Sequence, residues 1–302
     1  MAKHFLALSD YSSEELGGLL ALAAKVKKNP GEYRKALEGQ TLGMIFQKSS
    51  TRTRVSFEVG MFQLGGHALF LSGNDLQLGR GETVPDTAQV LSRYLDGIMA
   101  RVFAQKDVDD LATGTIPVIN GLSDLLHPCQ VMADLQTIQE HKGHLEGLVL
   151  TYVGDGNNMA HSLINGGVRM GMEVRIAAPE GYQPVPEIVE AASKLGKVVV
   201  DTDAAKLCQG ADVVYTDVWA SMGQEAEHEA RLKLFQPYQV NGELFGKAKD
   251  DAIFMHCLPA HRGEEVTDEV VDHARSVVFD EAENRLHAQK AILLHLMGGV
   301  AI

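Results

Sequence analysis

Seven consecutive residues, Lys48-Ser49-Ser50-Thr51-Arg52-Thr53-Arg54, bring together cations and hydroxyls without a single acid. They follow an apolar run, Thr41–Phe46, that reads as a buried strand. They precede a helical pattern that places Val55, Val59 and Phe62 on one face and stops at Gly65-Gly66. Hydroxyls and two arginines therefore sit at a strand-to-helix junction. A helix N-terminus leaves backbone N–H groups unpaired and carries partial positive charge. Adding these side chains makes a site for a small dense anion, phosphate above all. The plainer alternative is a capping Ser or Thr beside solvated arginines.

Five further constellations carry possible chemistry. Arg101 ends the apolar run Gly97–Ala100, so it either pairs with a carboxylate or holds a ligand anion. His127-Pro128-Cys129-Gln130 puts an imidazole and an amide at a helix start. A His there is usually structural, but near arginines it can donate to a carbonyl oxygen as negative charge builds. Gly154-Asp155-Gly156-Asn157-Asn158-Met159 is a partial dinucleotide fingerprint, with Met159 in place of the third glycine. The next strand ends in Ala177-Ala178-Pro179, and Glu180 comes only after the proline, so an NAD-dependent dehydrogenase is a distant alternative. The asparagines can instead offer neutral donors and acceptors to a zwitterion. Asp217-Val218-Trp219-Ala220-Ser221-Met222-Gly223 follows another strand and holds the only Trp. It is either a surface loop with a capping Ser or an Asp that binds a cationic amine on a closing loop. His256-Cys257-Leu258-Pro259 also follows a strand; a lone Cys there is more often a small buried hydrophobe, yet near Asp217 it can position an amine.

Bulk properties narrow the class. A chain of 302 residues suggests about two domains. A net charge of −13 repels nucleic acid and anionic lipid, so an anionic ligand must be caught by a local basic cluster. The three cysteines, Cys129, Cys208 and Cys257, lie far apart, against a disulfide framework or zinc site and in favour of a reducing compartment. The N-terminal run is broken by Ser9-Asp10, unlike a signal peptide, and Ala291–Ile302 is too short to span a bilayer. These features predict a cytoplasmic protein without a nucleic-acid or membrane partner.

The elements that must position these residues alternate. Ser12-Ser13-Glu14-Glu15 reads as a capping box opening a helix that ends at Asn29-Pro30-Gly31. Strands are expected at Thr41–Phe46, His67–Leu71, Gly97–Ala100 and Ile116–Asn120, and after a boundary near His141–His144 at Leu148–Val153, Val174–Ala178, Val198–Val200, Val213–Tyr215, Ile253–Met255 and Val277–Phe279. The last helix is expected from Ala282 to about Met297. The pattern predicts an α/β fold of two doubly wound domains, each with a central parallel sheet flanked by helices. In such sheets ligands bind beyond the C-terminal strand ends. The unusual polar segments all follow strands: Ser50–Arg54, Gln77 with Arg80, Arg101, His127–Gln130, Asn157-Asn158, Asp217–Gly223 and His256–Leu258.

The S-T-R-T-R run at Ser50–Arg54, L-Q-L-G-R-G-E at Leu76–Glu82, H-P-C-Q at His127–Gln130, D-x-W-x-S-M-G at Asp217–Gly223 and H-C-L-P-A-H-R-G at His256–Gly263 resemble, in order, the signatures of the ornithine carbamoyltransferases within the aspartate/ornithine carbamoyltransferase superfamily. The resemblance covers essentially the whole chain. It implies transfer of a carbamoyl group from carbamoyl phosphate to the side-chain amine of L-ornithine, giving L-citrulline and phosphate, in arginine biosynthesis or in the catabolic direction. A related amine such as putrescine is the alternative, mildly disfavoured because no long C-terminal extension follows the last helix. The resemblance implies no cofactor, no metal, and a homotrimer or assembly of trimers. It implies a carbamoyl phosphate-binding domain over residues 1–143, joined by the last helix at about 283–302, and an ornithine-binding domain over 144–282. It further implies that Ser50, Thr51, Arg52 and Thr53 bind phosphate, with Arg101 bridging phosphate and carbonyl. His127, Pro128, Cys129 and Gln130 surround the carbamoyl group, Gln77 reaches a neighbouring subunit, and Arg285 completes the carbamoyl phosphate site. Asn158, Asp217, Ser221 and Met222 bind ornithine, while Cys257 and Leu258 line the site near the reacting amine. Arg52, Arg101, His127, Asp217 and Cys257 are the expected catalytic residues.

Overall fold

The computed structural model describes residues 3–73, 81–220 and 228–302. The chain divides into two compact units, residues 1–136 with 283–302 and residues 137–282.

The first unit contains α1 (Ser13–Lys28), β1 (Thr41–Phe46), α2 (Thr51–Gln63), β2 (His67–Ser72), α3 (Val84–Leu91), β3 (Gly97–Arg101), α4 (Gln105–Leu111), β4 (Val118–Leu122) and the start of α5 (Pro128–Lys142). The predicted capping box is present: the Glu15 amide donates to Ser12 Oγ at 3.1 Å, and the Ser12 amide to Glu15 Oε2 at 2.8 Å. The strands form one parallel sheet in the order β2-β1-β3-β4. Leu42, Met44, Ile45, Ile98, Met99 and Ala100 are fully buried, as a sheet covered on both faces requires.

The second unit continues with β5 (Val149–Val153), α6 (Asn158–Arg169), β6 (Glu173–Ala177), α7 (Pro186–Ser193), β7 (Val198–Asp201), α8 (Ala204–Cys208), β8 (Val213–Thr216), α9 (His228–Phe235), α10 (Gly242–Phe245), β9 (Ile253–His256) and α11 (Asp268–Val271). Its parallel sheet runs β7-β6-β5-β8-β9. The chain returns to the first unit within α12 (Val278–Leu296).

Both sheets reverse their winding once. In the first sheet the switch lies between β1 and β3, with Phe46 paired to Arg101. In the second it lies between β5 and β8, with Val153 paired to Thr216. Loops leave in opposite directions at such a point and open a crevice. The hydroxyl–arginine run follows β1, Arg101 ends β3, the Asn pair follows β5 and Asp217 follows β8.

Two expectations need correction. Val277–Phe279 is not a strand. Only an isolated bridge joins Ser276 to Phe254, the Val277 amide donates to the Phe254 carbonyl, and α12 starts at Val278. Asp280 and Glu281 in its first turn favour a helix start electrostatically. The apolar face of α2 also differs from the expectation. Its buried residues are Thr53, Phe57, Gly60 and Met61, whereas Val55 and Phe62 are exposed. Core contact runs through Gly60, where an added Cβ would lie 3.4 Å from Lys290 Cγ of α12. Among the described residues no helix is long and apolar enough to cross a membrane.

Candidate active site

In the first unit, Ser50 caps α2: the Thr53 amide donates to its Oγ at 3.2 Å. The capping role weighed for this residue is thus realised, and it presents the start of α2 at the end of β1. Thr51 is exposed and Arg52 half-buried there, while Thr53 is fully buried. Arg285, 3% exposed on α12, donates from Nη2 to Thr53 Oγ1 at 3.2 Å and from Nη1 to Gln130 Oε1 at 2.6 Å. Gln130 Nε2 in turn donates to Asp134 Oδ1 at 2.9 Å. One buried guanidinium so links the β1–α2 junction to the start of α5.

His127 lies within this group and is buried. Burial, and then the positive fields of Arg285, Arg101 and Arg52, hold its proton affinity well below the usual imidazole range. The ring is therefore neutral near pH 7 and retains one N–H to donate. Arg101 is also buried. Lys48 feels it: burial first, then Arg101, lowers the Lys48 pKa, and its ammonium sits 4.6 Å over the Phe103 ring. Pro128 opens α5, a position that needs no N–H. Cys129 is turned into the core, its Sγ donating to the Asn120 carbonyl at 3.3 Å, and burial pushes its thiol up to about 12. Arg54 departs from the simple expectation of two arginines at one anion. Its guanidinium lies 4.0 Å over Phe70 and its Nε donates to Glu58 at 2.9 Å.

In the second unit, Asp217 is 7% exposed. Its Oδ1 accepts the Val218 amide at 2.8 Å and Cys257 Sγ at 3.0 Å, and its Oδ2 accepts Asn157 Nδ2 at 3.4 Å. The predicted pairing of Asp217 with Cys257 is therefore present. Asn157 caps α6 through its Oδ1 on the Met159 amide and also reaches the carboxylate, so of the two asparagines it is the one hydrogen-bonded to Asp217. Asn158 is the first residue of α6. Tyr152 lies beneath; burial, and then the negative fields of Asp217, Asp155, Cys257 and Glu265, raise its pKa well above the usual range. A pocket of this sign attracts an ammonium group.

Leu258 adopts a φ of 55°, unusual for a side-chain-bearing residue. Its amide donates to His256 Nδ1 at 2.8 Å, which leaves Nε2 to donate to the buried Glu265 Oε1 at 3.1 Å. Asp217, His256 and Cys257 offer potential ligand atoms within 4.8 Å of one another, but both nitrogens of His256 are already engaged. Gly156 of the partial fingerprint serves packing, whereas Gly154 adopts a positive φ of 143°. A Cβ on Gly156 would meet the backbone at Pro184, Gln183 and Tyr182 within 2.6 Å, and the Gly156 amide donates to the Tyr182 carbonyl. Gln77, Arg80, Ser221 and Met222 lie outside the described residues.

Each of the two doubly wound units places charged and polar side chains at its switch point, where α/β enzymes bind their ligands. Known sequences agree. The carbamoyl-P binding domain of the aspartate/ornithine carbamoyltransferases matches residues 3–140, and their Asp/Orn binding domain matches residues 146–296. The chain belongs to the aspartate/ornithine carbamoyltransferase family. It is 58% identical over 305 residues to the ornithine carbamoyltransferase of Thermococcus kodakarensis, covering 98% of this chain and 97% of that one. The anabolic ornithine carbamoyltransferase of Pyrococcus furiosus is 57% identical over 306 residues, covering 99% and 97%. A solved ornithine carbamoyltransferase from Pyrococcus furiosus superposes with a TM-score of 0.95 at 56% identity, covering 99% of this chain and 98% of that one. One from Thermus thermophilus gives 0.90 at 44% identity, covering 98% and 99%.

Proposed function

We propose that this enzyme transfers the carbamoyl group of carbamoyl phosphate to the side-chain amine of L-ornithine, giving L-citrulline and phosphate. The observation that carries this reading is the buried His127 among Arg52, Arg101 and Arg285, with Arg285 bonded to Gln130 and Thr53. Such a group suits an acyl phosphate: cations for the phosphate oxygens, a neutral donor for the carbonyl. In this reading residues 1–143 with 283–302 bind carbamoyl phosphate and 144–282 bind ornithine.

Ser50, Thr51, Arg52 and Thr53 hold the phosphate, Arg101 bridges phosphate and carbonyl, and Arg285 positions Gln130 and Thr53 while adding charge. His127 and Gln130 orient the carbamoyl group, with Pro128 and Cys129 shaping the backbone around it. Asp217, with Asn158, Ser221 and Met222, receives ornithine. A free alkyl amine of this kind has a pKa of roughly 10.4. Asp217 and Cys257 orient it and ease loss of its proton, while Leu258 lines the site. The neutral amine attacks the carbonyl carbon, a C–N bond forms, the C–O bond to phosphate breaks, and the amine proton leaves with phosphate. Phosphate is a ready leaving group, so the step as written requires no metal or organic cofactor. Donors aimed at the developing oxyanion act in the transition state, which raises kcat rather than merely lowering KM.

Exposed apolar residues on α2 and β2, Val55, Phe62, Leu69 and Phe70, support self-association, here proposed as a homotrimer in which Gln77 reaches a neighbouring subunit. The charge balance and separated cysteines support a cytoplasmic setting. The test is a citrulline colour assay with carbamoyl phosphate against ornithine, putrescine, aspartate and acetylornithine. Turnover confined to ornithine is expected; preference for another amine overturns the assignment.

A further inference from the structure

Three adjacent strands of the second sheet, β6, β5 and β8, send their C-terminal loops toward one side chain. Arg231, on α9, is 6% exposed. Its Nη1 donates to Asp155 Oδ2 at 2.7 Å, in the loop after β5, and to the Trp219 carbonyl at 2.9 Å, in the loop after β8. Its guanidinium carbon lies 4.9 Å over the ring of Tyr182, in the loop after β6, and 5.9 Å over Phe235 on its own helix. Tyr182 and Trp219 each pack on Phe235 in turn, with centroids at 5.1 and 6.0 Å. Each loop it joins abuts the amine-directed group. Asp155 precedes Asn157, whose amide donates to the Asp155 carbonyl at 2.7 Å; the Tyr182 carbonyl holds the Gly156 amide; and Trp219 lies two residues beyond Asp217.

We propose that Arg231 is a positioning residue for the amine substrate, a single buried guanidinium that braces the loops after β5, β6 and β8 and so fixes the spacing of Asn157 and Asn158 relative to Asp217. The inference rests on the ornithine reading of that site and adds a residue that does not itself touch substrate. A planar guanidinium can donate in two directions while stacking on an aromatic face; an ammonium cannot do both. The switch point needs such a part. Its two walls diverge from neighbouring strands, and small displacements of positioning groups lower productive binding steeply.

Two variants test it. Arg231→Lys keeps the charge and loses the fork and the flat face. The double variant Asp155→Asn/Arg231→Gln removes both charges together, so neither is left buried alone. In the folded full-length enzyme both are expected to raise the KM for ornithine about tenfold or more, with the KM for carbamoyl phosphate and kcat nearly unchanged. Ornithine KM unchanged in a folded variant, or all parameters falling in parallel, overturns the proposal. So does failure of both variants to fold, which would make the brace a folding element. Hydrogen exchange at the Gly156 and Asn157 amides provides a readout without substrate. Faster exchange in the variants is expected, and unaltered exchange overturns the brace. If the parent enzyme does not carbamoylate ornithine, the proposed function fails on that result, while the exchange data still decide whether the brace exists.

Discussion

Arg285→Met removes a cation from the centre of the proposed carbamoyl phosphate site while nearly preserving side-chain volume. Arg285 is 3% exposed and makes a 2.6 Å charge-assisted bond to Gln130 and a 3.2 Å bond to Thr53. A preorganised donor of this kind is worth about 3 kcal/mol in the transition state. At 1.36 kcal/mol per decade that corresponds to a loss of roughly 150-fold in kcat. The substitution also has a signature that misfolding lacks. Arg285 is the first of the three charges that lower the His127 pKa, after burial itself. Without it the imidazole takes up a proton more readily, so the acid limb of kcat/KM against pH moves toward neutrality. Arg285→Lys keeps the charge and should leave that limb in place while still lowering kcat. Citrulline formation measured from pH 5.5 to 8.5 reads both effects. A kcat within about threefold of the parent, or an unmoved acid limb, would refute the placement of Arg285 and the electrostatic account of His127.

Other predictions follow from the same geometry. Asp217→Asn removes the anion that accepts Cys257 and Asn157, so calorimetry should show ornithine binding weakened far more than carbamoyl phosphate binding; equal losses would contradict the division of labour between the units. Cys129 and Cys208 are buried, with thiols pushed up to about 12, whereas Cys257 is only partly buried. A thiol reagent should therefore modify Cys257 first in the native enzyme, and prior labelling of Cys129 would contradict the packing. His127 is neutral when folded, whereas an unfolded His protonates below about pH 6.5, so the unfolded state binds more protons in acid and stability falls as pH drops through that value. Relative to His127→Gln, the parent should lose up to about 1.4 kcal/mol more per pH unit between pH 6 and 5 in urea denaturation; parallel pH dependences would refute a buried neutral ring.

The strand–helix alternation was legible because parallel strands buried on both faces leave continuous apolar runs such as Thr41–Phe46 and Val149–Val153. The segments proposed to bear the site stand directly after such runs, so their place at the C-terminal strand ends was legible too. What could not be read was which strands adjoin. The switch points between β1 and β3 and between β5 and β8 depend on sheet order, a non-local property. Arg231 stands singly in a helical stretch where a solvated cation is the ordinary reading; only folding brings Asp155, Tyr182 and Trp219 to it. Which of Asn157 and Asn158 meets Asp217 was not legible, because one N-cap side chain can serve both its helix and a neighbouring carboxylate. The inward face of α2 was not legible because two apolar stripes compete on it: Phe57 and Met61 pack inward while Phe62 is 80% exposed.

A crystal structure of the enzyme with a bisubstrate mimic, a phosphonoacetyl group joined to the ornithine side-chain nitrogen, tests the central claim most directly. The account predicts the phosphonate on the Ser50–Thr53 turn with Arg52 and Arg101, the carbonyl oxygen at His127, and the amino-acid portion beside Asp217. A phosphonate bound elsewhere, with the start of α2 vacant, would contradict it.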